Sequence, residues 1–515
     1  MITELPTPAE MAAWDRESAA FGIAPQTLME NASREALHVL EELAPPLAGK
    51  KALLFMGGGN NGGDAACLAR HLSDQGAFPV VVHTHPLGKA RGAAGTHIRL
   101  AKKSGVPFIP AASWLREGPA DIPDIIVDGL LGTGFHGLLR PLEEALVKRV
   151  NNLRRQSFIL ALDIPSGLNG LTGKPSPDAV RAHATVTFEA AKPGIVLPEA
   201  APFTGRLVVR RIGMPHSVKE NLPPSFRLIT EDILRLLPDP ASFPHKGKAG
   251  HVLVTGGSPR YAGAARLAAT GALRAGAGLV TLAAPDAFLD RIRGGCPDLM
   301  SLPLPGGDWT PEQADAIAAH SARCGAVVLG PGLGNSAGAA ELVIRLLRLP
   351  DRPPFVVDAD ALAALKAAEA FSLLHENDVL TPHPGEAAAL LDLSVAAVQD
   401  DRPKALAVLK ELAPSVWLLK GAGTLVGQAG SATGVLARAV PNLAVGGAGD
   451  VLSGIIAAFL AQGAPAFAAA QAGALLHAAA GELLAKRFPA RGNLASDIAD
   501  ALPAARAALS CAADN

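Results

Sequence analysis

Asn442-Leu-Ala-Val-Gly446-Gly447-Ala448-Gly449-Asp450-Val-Leu-Ser-Gly454 sets one carboxylate directly after a run of small residues. Small residues let successive backbone N–H groups converge on a phosphate oxygen, and a helix beginning there adds positive potential. Asp450 then stands where a proton must be taken from an attacking hydroxyl. These are the parts of a phosphoryl-transfer site, although a single glycine-rich loop is a weak signal and can be an ordinary turn.

A different polar loop, Gly57-Gly58-Gly59-Asn60-Asn61-Gly62-Gly63-Asp64, follows the apolar run ending at Met56. It satisfies G-x-G-x-x-G, but a dinucleotide site of that type wants an acidic residue about twenty positions on to hold a ribose. The next apolar run ends instead in Val82-His83-Thr84-His85, which disfavours an ordinary nicotinamide oxidoreductase. Two further runs end in comparable chemistry: Ile125-Ile-Val-Asp128-Gly-Leu-Leu-Gly132-Thr133-Gly134 and Leu160-Ala-Leu-Asp163-Ile-Pro165-Ser166-Gly167. Ligands of open α/β sheets gather at carboxyl ends of strands, where Asn61, Asp128, Asp163 and Ser166 can converge. Four oxygen-bearing side chains suit a hard cation. For any one of them alone, a turn-forming role is an equal alternative.

The second half repeats the arrangement with other residues. His251-Val-Leu-Val-Thr-Gly256-Gly257-Ser258-Pro-Arg-Tyr261-Ala-Gly263-Ala264 reads as strand, glycine turn and helix. Later runs end at Gly330-Pro-Gly332-Leu-Gly334, Asp358-Ala-Asp360, Thr381-Pro-His383-Pro384-Gly385-Glu386 and Lys420-Gly421-Ala422-Gly423-Thr424. Tyr261, the only tyrosine, suits packing as well as ligand contact. His83 and His85 lack a third ligand nearby and read as strand-end residues rather than a metal pair. Lys89, Arg91, Arg99, Lys102 and Lys103 have no interleaved aromatics and read as a solvated helix surface, not a nucleic-acid site.

Elements of two sheets must position these loops. A chain of 515 residues exceeds one core, and a prior of about 150 residues per domain gives two to four units. Short β-branched runs alternate with longer Ala/Leu-rich segments from Lys51 to Met214, and again from His251, which predicts two parallel, helix-flanked sheets. The first fifty residues read as polar-faced helices that wrap the first sheet or form a dimer contact. Pro215 to Pro244 breaks the rhythm and is the expected linker. The formal charge of −1 leaves no field for nucleic acid, and the four cysteines show neither disulfide nor thiolate-metal spacing. With no secretory pattern at the N-terminus, the expected compartment is the cytoplasm. Ile455 to Leu484 is the most apolar stretch, but Gln462, Pro465, Gln471 and His477 interrupt it, so buried helices are expected rather than a membrane span.

GGGNNGGD, VDGLLGTG and LDIPSG resemble the N-terminal epimerase domain of the NAD(P)H-hydrate repair enzymes, over roughly residues 10 to 215. GPGLG, TPHPGE, KGAGT and GGAGD resemble the dehydratase half of the same enzymes, of the ribokinase-like superfamily, from about Arg227 onward. The resemblance implies a Rossmann-like three-layer αβα domain over residues 1–218 and a ribokinase-like αβα domain over 226–515. It implies that Asn60, Asn61, Gly62, Gly63 and Asp64, with Gly132, Thr133, Gly134, Phe135, His136, Gly137, Leu138 and Asp163, bind the hydrate, and that Asn61, Asp128 and Ser166 bind potassium. Asp163 is the candidate acid–base group of epimerisation. In the second half Ala264, Gly332 or Gly334, His383 and Asp450 would face the hydrate. Lys420, Gly421, Ala422, Gly423, Thr424 and Gly449 would hold ADP or ATP with magnesium, ADP being preferred from the fused arrangement. Expected partners are thus the hydrates and an adenine nucleotide, with neither nucleic acid nor membrane, in a homo-oligomer. Three positions depart from the family pattern: Ala65 for glycine, Lys248 for aspartate and Ala448 for threonine or serine. The alternative reading is a small-molecule kinase fused to a non-catalytic binding module.

Overall fold

Strands buried on both faces read as near-continuous apolar runs, and most of the runs between Lys51 and Met214 have that pattern. In a computed structural model describing residues 3–118, 121–239, 245–489 and 491–513 they form β1 (Lys51–Met56), β2 (Phe78–His83), β3 (Phe108–Pro110), β4 (Ile125–Gly129), β5 (Phe158–Leu162), β6 (Ala184–Phe188) and β7 (Arg206–Arg210). All pair in parallel, in the order β3-β2-β1-β4-β5-β6-β7. Alternate residues enter opposite cores. Leu54, Met56, Val127 and Leu160 pack with Trp14, Leu28, Leu40 and Leu68 on one face. Leu53, Phe55, Ile126 and Ile159 pack with Trp114, Leu146 and Val150 on the other. The expected three-layer sandwich follows.

The helices Pro8–Phe21 and Pro25–Leu43 wrap the first of these faces, as one of the two sequence expectations had it. A capping box starts the former: Thr7 Oγ1 accepts from Glu10 N–H at 3.2 Å, and the Glu10 carboxylate accepts from Thr7 N–H at 2.7 Å.

The second sheet has ten strands: β8 (Phe226–Leu228), β9 (His251–Thr255), β10 (Leu279–Pro285), β11 (Met300–Leu304), β12 (Ala326–Leu329), β13 (Phe355–Val357), β14 (Val379–Leu380), β15 (Val416–Leu419), β16 (Thr424–Gly427) and β17 (Thr433–Leu436). Their order is β11-β10-β9-β12-β13-β14-β15-β16-β17-β8. Pairing is parallel from β11 to β15 and antiparallel from β15 through β17. The chain divides into two compact units after Phe226. Much of the expected linker is ordered structure: a helix His216–Asn221, β8 and a 3₁₀ turn Glu231–Leu236. Pro215, Pro223, Pro224 and Pro238 sit at element boundaries, where a missing N–H breaks no ladder, so they punctuate short elements rather than mark a tether. Residues 240–244 of that segment lie outside the described residues.

The apolar stretch near the C-terminus forms the helices Ala448–Ala461 and Ala466–Arg487, buried along most of their length. No helix of the described residues is long and apolar enough to cross a membrane. Helix Ala448–Ala461 crosses helix Ala262–Arg274 closely enough that a Cβ on Gly454 would lie 1.9 Å from the Ala268 carbonyl oxygen. Alanine is the better helix former by about 1 kcal/mol, but here the clash is with backbone that cannot rotate away. We expect Gly454→Ala to destabilise the C-terminal unit by about 1–3 kcal/mol, read as a lower denaturant midpoint; an unchanged or raised midpoint would refute the close crossing.

Candidate active sites

Both sheets reverse their strand order once among parallel neighbours, at β1/β4 and at β9/β12, and the polar loops emerge beside those points. After β1 the chain turns at Gly57, where any Cβ would lie 1.8 Å from the Leu130 carbonyl oxygen, and enters helix Asn60–Asp74. That packing draws the first loop against the loop after β4. Asn61 Nδ2 donates to the Leu131 carbonyl at 2.8 Å, while its buried Oδ1 has no hydrogen-bond partner. Asp128 is fully buried and accepts from Ser166 N–H at 2.7 Å and Ser166 Oγ at 2.6 Å. Burial pushes the Asp128 carboxyl up to about 6, against the pull of its hydrogen bonds from Ser166 and Leu130. Ser166 Oγ also accepts from Leu131 N–H at 2.9 Å, so Ser166 links both loops.

A cavity of about 920 Å³ opens beside this cluster. Asn60, Asn61, Asp64, Gly132 to His136, Leu138 and Asp163 line it, whereas Gly62, Gly63, Gly137, Asp128 and Ser166 are not among the lining residues. Asp163 follows β5 with φ 63°, an unusual conformation for a residue with a side chain. Its carboxylate accepts from Thr187 Oγ1 at 3.2 Å and from the Lys192 ammonium, which also donates to Thr187 Oγ1 at 2.9 Å. Lys192 is 1% exposed. Asp15 and Asp64 share the cavity. Burial, then Asp163 and Asp15, pushes the Asp64 carboxyl well above the usual range, which favours its protonated form. Ala65, the departure from glycine, is fully buried against Gly129, where an added Cβ would lie 2.7 Å from its methyl. His83 and His85 do not converge: Nδ1 of His83 lies 2.9 Å from the His85 carbonyl, and Nδ1 of His85 3.0 Å from Thr84 Oγ1.

In the second unit, Gly447 takes φ 92° immediately before helix Ala448–Ala461, and no side chain caps that helix. No side-chain cap competes for the amides of its first turn, although Ala448 N–H already donates to the Val445 carbonyl at 3.3 Å. Asp450 lies in the first turn; burial, and then the neighbouring Asp358, push its carboxyl up to about 7. Lys420 Nζ donates to Asp358 at 2.8 Å and lies 3.7 Å from Glu386. It stands so near Gly449 that a Cβ there would be 3.3 Å from it. Ser453 Oγ donates to the other oxygen of Asp358 at 2.6 Å.

Gly332, with φ 64°, abuts Ala264 and Tyr261: its Cβ would lie 2.9 Å from the Cβ of each. Gly334 N–H donates to Asp360 at 2.8 Å. His383 caps helix Pro384–Leu391, its Nδ1 accepting from Gly385 and Glu386 N–H at 3.0 and 3.1 Å. Residues 420–424 fold around the buried guanidinium of Arg402, which donates to the carbonyls of Leu419, Lys420 and Gly423 at 3.2 to 3.3 Å. Thr424 opens β16 and closes the loop by donating to the Gly421 carbonyl at 2.9 Å.

Sequence reasoning missed Lys192 and Arg402 as site-shaping residues, and named Asp358, Asp360 and Glu386 only as parts of motifs. Lys192 and Arg402 carry no glycine signature and reach their sites from a later loop and from the start of helix Arg402–Leu412. A lysine after a β-branched run that is otherwise wholly buried, as in Ala184 to Lys192, is the available signal, since an unpaired ammonium there would be very costly.

Residues 25–194 match the family described as YjeF-related protein N-terminus, and residues 252–504 the family described as NAD(P)H-hydrate dehydratase. The chain is 37% identical over 510 residues to a bifunctional NAD(P)H-hydrate repair enzyme of Moorella thermoacetica, covering 97% of this chain and 96% of that protein. It is 34% identical over 500 residues to a protein of the same description from Escherichia coli, covering 94% of this chain and 90% of the other. Among solved structures, an ADP/ATP-dependent NAD(P)H-hydrate dehydratase of Bacillus subtilis, co-crystallised with ATP and Mg²⁺, is similar at 26% identity and a TM-score of 0.46, over 55% of this chain and 98% of that one.

Lys192 and Asp163 are 1% and 17% exposed as side chains, so removing the cation alone leaves carboxylates facing one another with little water. We expect Lys192→Met to destabilise the N-terminal unit by about 3–5 kcal/mol, measured by denaturant unfolding. A change under about 1 kcal/mol would mean that the pair is effectively solvated.

Proposed function

The chain belongs to the bifunctional NAD(P)H-hydrate repair enzymes, and we propose that its first unit interconverts the R and S hydrates while its second dehydrates the S form. The second reaction consumes ADP, or ATP, and releases AMP, or ADP, with phosphate. Its working compartment is the cytoplasm.

In the epimerase cavity the hydrate is gripped by the loops from Asn60 to Asp64 and from Gly132 to Leu138. Asp163, oriented by Lys192 and Thr187, gives a proton to the hydroxyl next to the ring nitrogen as its C–O bond breaks to leave an iminium and water, and takes the proton back when water adds to the other face. Asp64, favoured in its protonated form, is suited to hydrogen-bond to the substrate as a donor. The unpartnered Asn61 Oδ1, together with Asp128 and Ser166, fits a potassium ion, which would supply positive charge that holds the two loops together. Asp163→Asn should cut interconversion of the two hydrates by about two to four orders of magnitude, followed by chromatography of the epimers; unchanged interconversion would remove Asp163 from that role.

The observation that carries the dehydratase reading is a carboxyl raised towards 7 in the first turn of an uncapped helix, beside a half-buried lysine. Asp450 takes the proton of the hydrate's hydroxyl, whose oxygen attacks the terminal phosphoryl group. Amides from Gly447 to Gly449 receive the developing charge. Phosphate then leaves with the C–O bonding pair, and loss of a ring proton restores the dihydropyridine. Lys420 through Thr424, with Gly449, hold the nucleotide. Asp358, Asp360, Glu386 and Asp450 set several negative charges around the single ammonium of Lys420, an imbalance that fits magnesium carried in with the phosphates.

Asp450 must be ionised to act, so kcat/KM for dehydration should climb about tenfold per pH unit below about 7 and level off above it. Asp450→Asn should lower turnover by about two to four orders of magnitude while nucleotide still binds. The raised carboxyl also favours the folded state progressively as pH falls from about 7 towards its ordinary value of 3.8, so the same variant should be more stable than the wild type at pH above about 7. Near-native turnover, or a flat pH profile, would overturn the assignment. Release of free phosphate with recovery of reduced-nicotinamide absorbance separates dehydration from a kinase reaction, which leaves phosphate on its product.

A further inference from the structure

The amino edge of the second sheet, opposite the catalytic loops, carries a compact set of metal-ligating side chains. His251 opens β9, His320 lies in the last turn of helix Ala314–Ser321, and Cys324 stands just before β12. Their candidate donor atoms all lie within 4.8 Å of one another. Nε2 of His251 is 2.8 Å from the Thr281 hydroxyl, and Nε2 of His320 is 3.3 Å from the same oxygen. The two rings meet edge to face with centroids 5.5 Å apart. Cys324 is buried, with Sγ 3.5 Å from the His320 carbonyl, while both histidines are partly exposed and give a path from solvent.

We infer that His251, His320 and Cys324 form a zinc-binding site, with the Thr281 hydroxyl or a water completing four ligands. Two imidazoles and a thiolate are the mixed nitrogen and sulfur set that zinc takes tetrahedrally, whereas magnesium and calcium prefer oxygen alone. Bond lengths of about 2.0–2.3 Å put neighbouring donors around such an ion about 3.3–3.8 Å apart. The separations around Thr281 are already close to that range, and side-chain rotation of about 1 Å draws in the sulfur. On binding, the Cys324 thiol loses its proton to solvent as the zinc–sulfur bond forms. His320 then carries its remaining proton on Nδ1. Arg323, whose Nη2 lies 3.2 Å from that nitrogen, turns away from it; its side chain is exposed and free to do so.

The other soft-donor cluster among the described residues behaves differently. Glu30, Cys67 and His71 are equally close, but the Arg70 guanidinium donates to both Glu30 oxygens at 2.7 and 2.6 Å and lies 3.2 Å from His71 Nε2. A cation already fills that place. The zinc site instead joins the first residue of β9 to the segment leading into β12, its neighbour in the sheet, and acts as a clamp on the edge away from Asp450.

The test uses the full chain, stripped with a chelator, free of nucleotide, and titrated with zinc against a chromogenic chelator and separately with cobalt(II). The expected result is one equivalent of zinc bound at micromolar affinity or tighter, with a thiolate-to-cobalt charge-transfer band. Cys324→Ser and His320→Gln should each weaken binding at least about tenfold and remove or displace the band without changing the circular dichroism, while Cys67→Ser retains both. No uptake of zinc, no charge-transfer band, wild-type binding by both Cys324→Ser and His320→Gln, or loss that follows Cys67 would each overturn the site.

Discussion

A parallel sheet covered on both faces leaves polar chemistry only its strand ends. In this chain that constraint operates twice. Leu53 and Leu54, adjacent on β1, enter different cores, so neither face of the first sheet can hold a charge without disrupting a packed layer. Asp128, Asp163 and Ser166 therefore appear where β4 and β5 run out, and Asp358, Thr381 and Lys420 where β13, β14 and β15 do. Glycine follows for the same reason, since loops that must pass close to one another at these ends have no room for a Cβ.

The two sites share a charge arrangement despite unrelated motifs. Each sets a lysine ammonium among several carboxylates: the buried Lys192 beside Asp163, with Asp15 and Asp64 in the same cavity, and the half-buried Lys420 with Asp358, Glu386 and Asp450. One lysine cannot neutralise all its neighbours. The excess raises the proton affinity of a further carboxyl, Asp64 in one case and Asp450 in the other, with burial as the larger cause. Asp450, pushed up to about 7, can both take and return a proton near neutral pH. Asp64 is instead biased towards its protonated form, a hydrogen-bond donor beside the lysine-held Asp163.

The parts of this organisation legible in the sequence were those with local signatures. Long apolar runs gave nearly every parallel strand, and glycine-rich loops marked their carboxyl ends. The short edge strands β3 and β11 contain proline, and β16 and β17 form a glycine-containing antiparallel hairpin, so their pattern is weak. His383 was expected to face substrate; its Nδ1 caps a helix while the ring stays exposed, a capping role that residue type alone does not announce. Lys192 had only the faint signal of following a buried β-branched run, and Arg402 became visible only when distant segments met, because an isolated arginine in sequence is indistinguishable from a solvated one. The division between the two units falls inside the expected linker, after Phe226, but that segment is denser than a tether because prolines mark the boundaries of its short elements.

The methyl of Ala65 occupies the space in front of Gly129. In evolutionary terms this couples two sites some sixty positions apart: while alanine stands at 65, residue 129 is barred from acquiring any side chain.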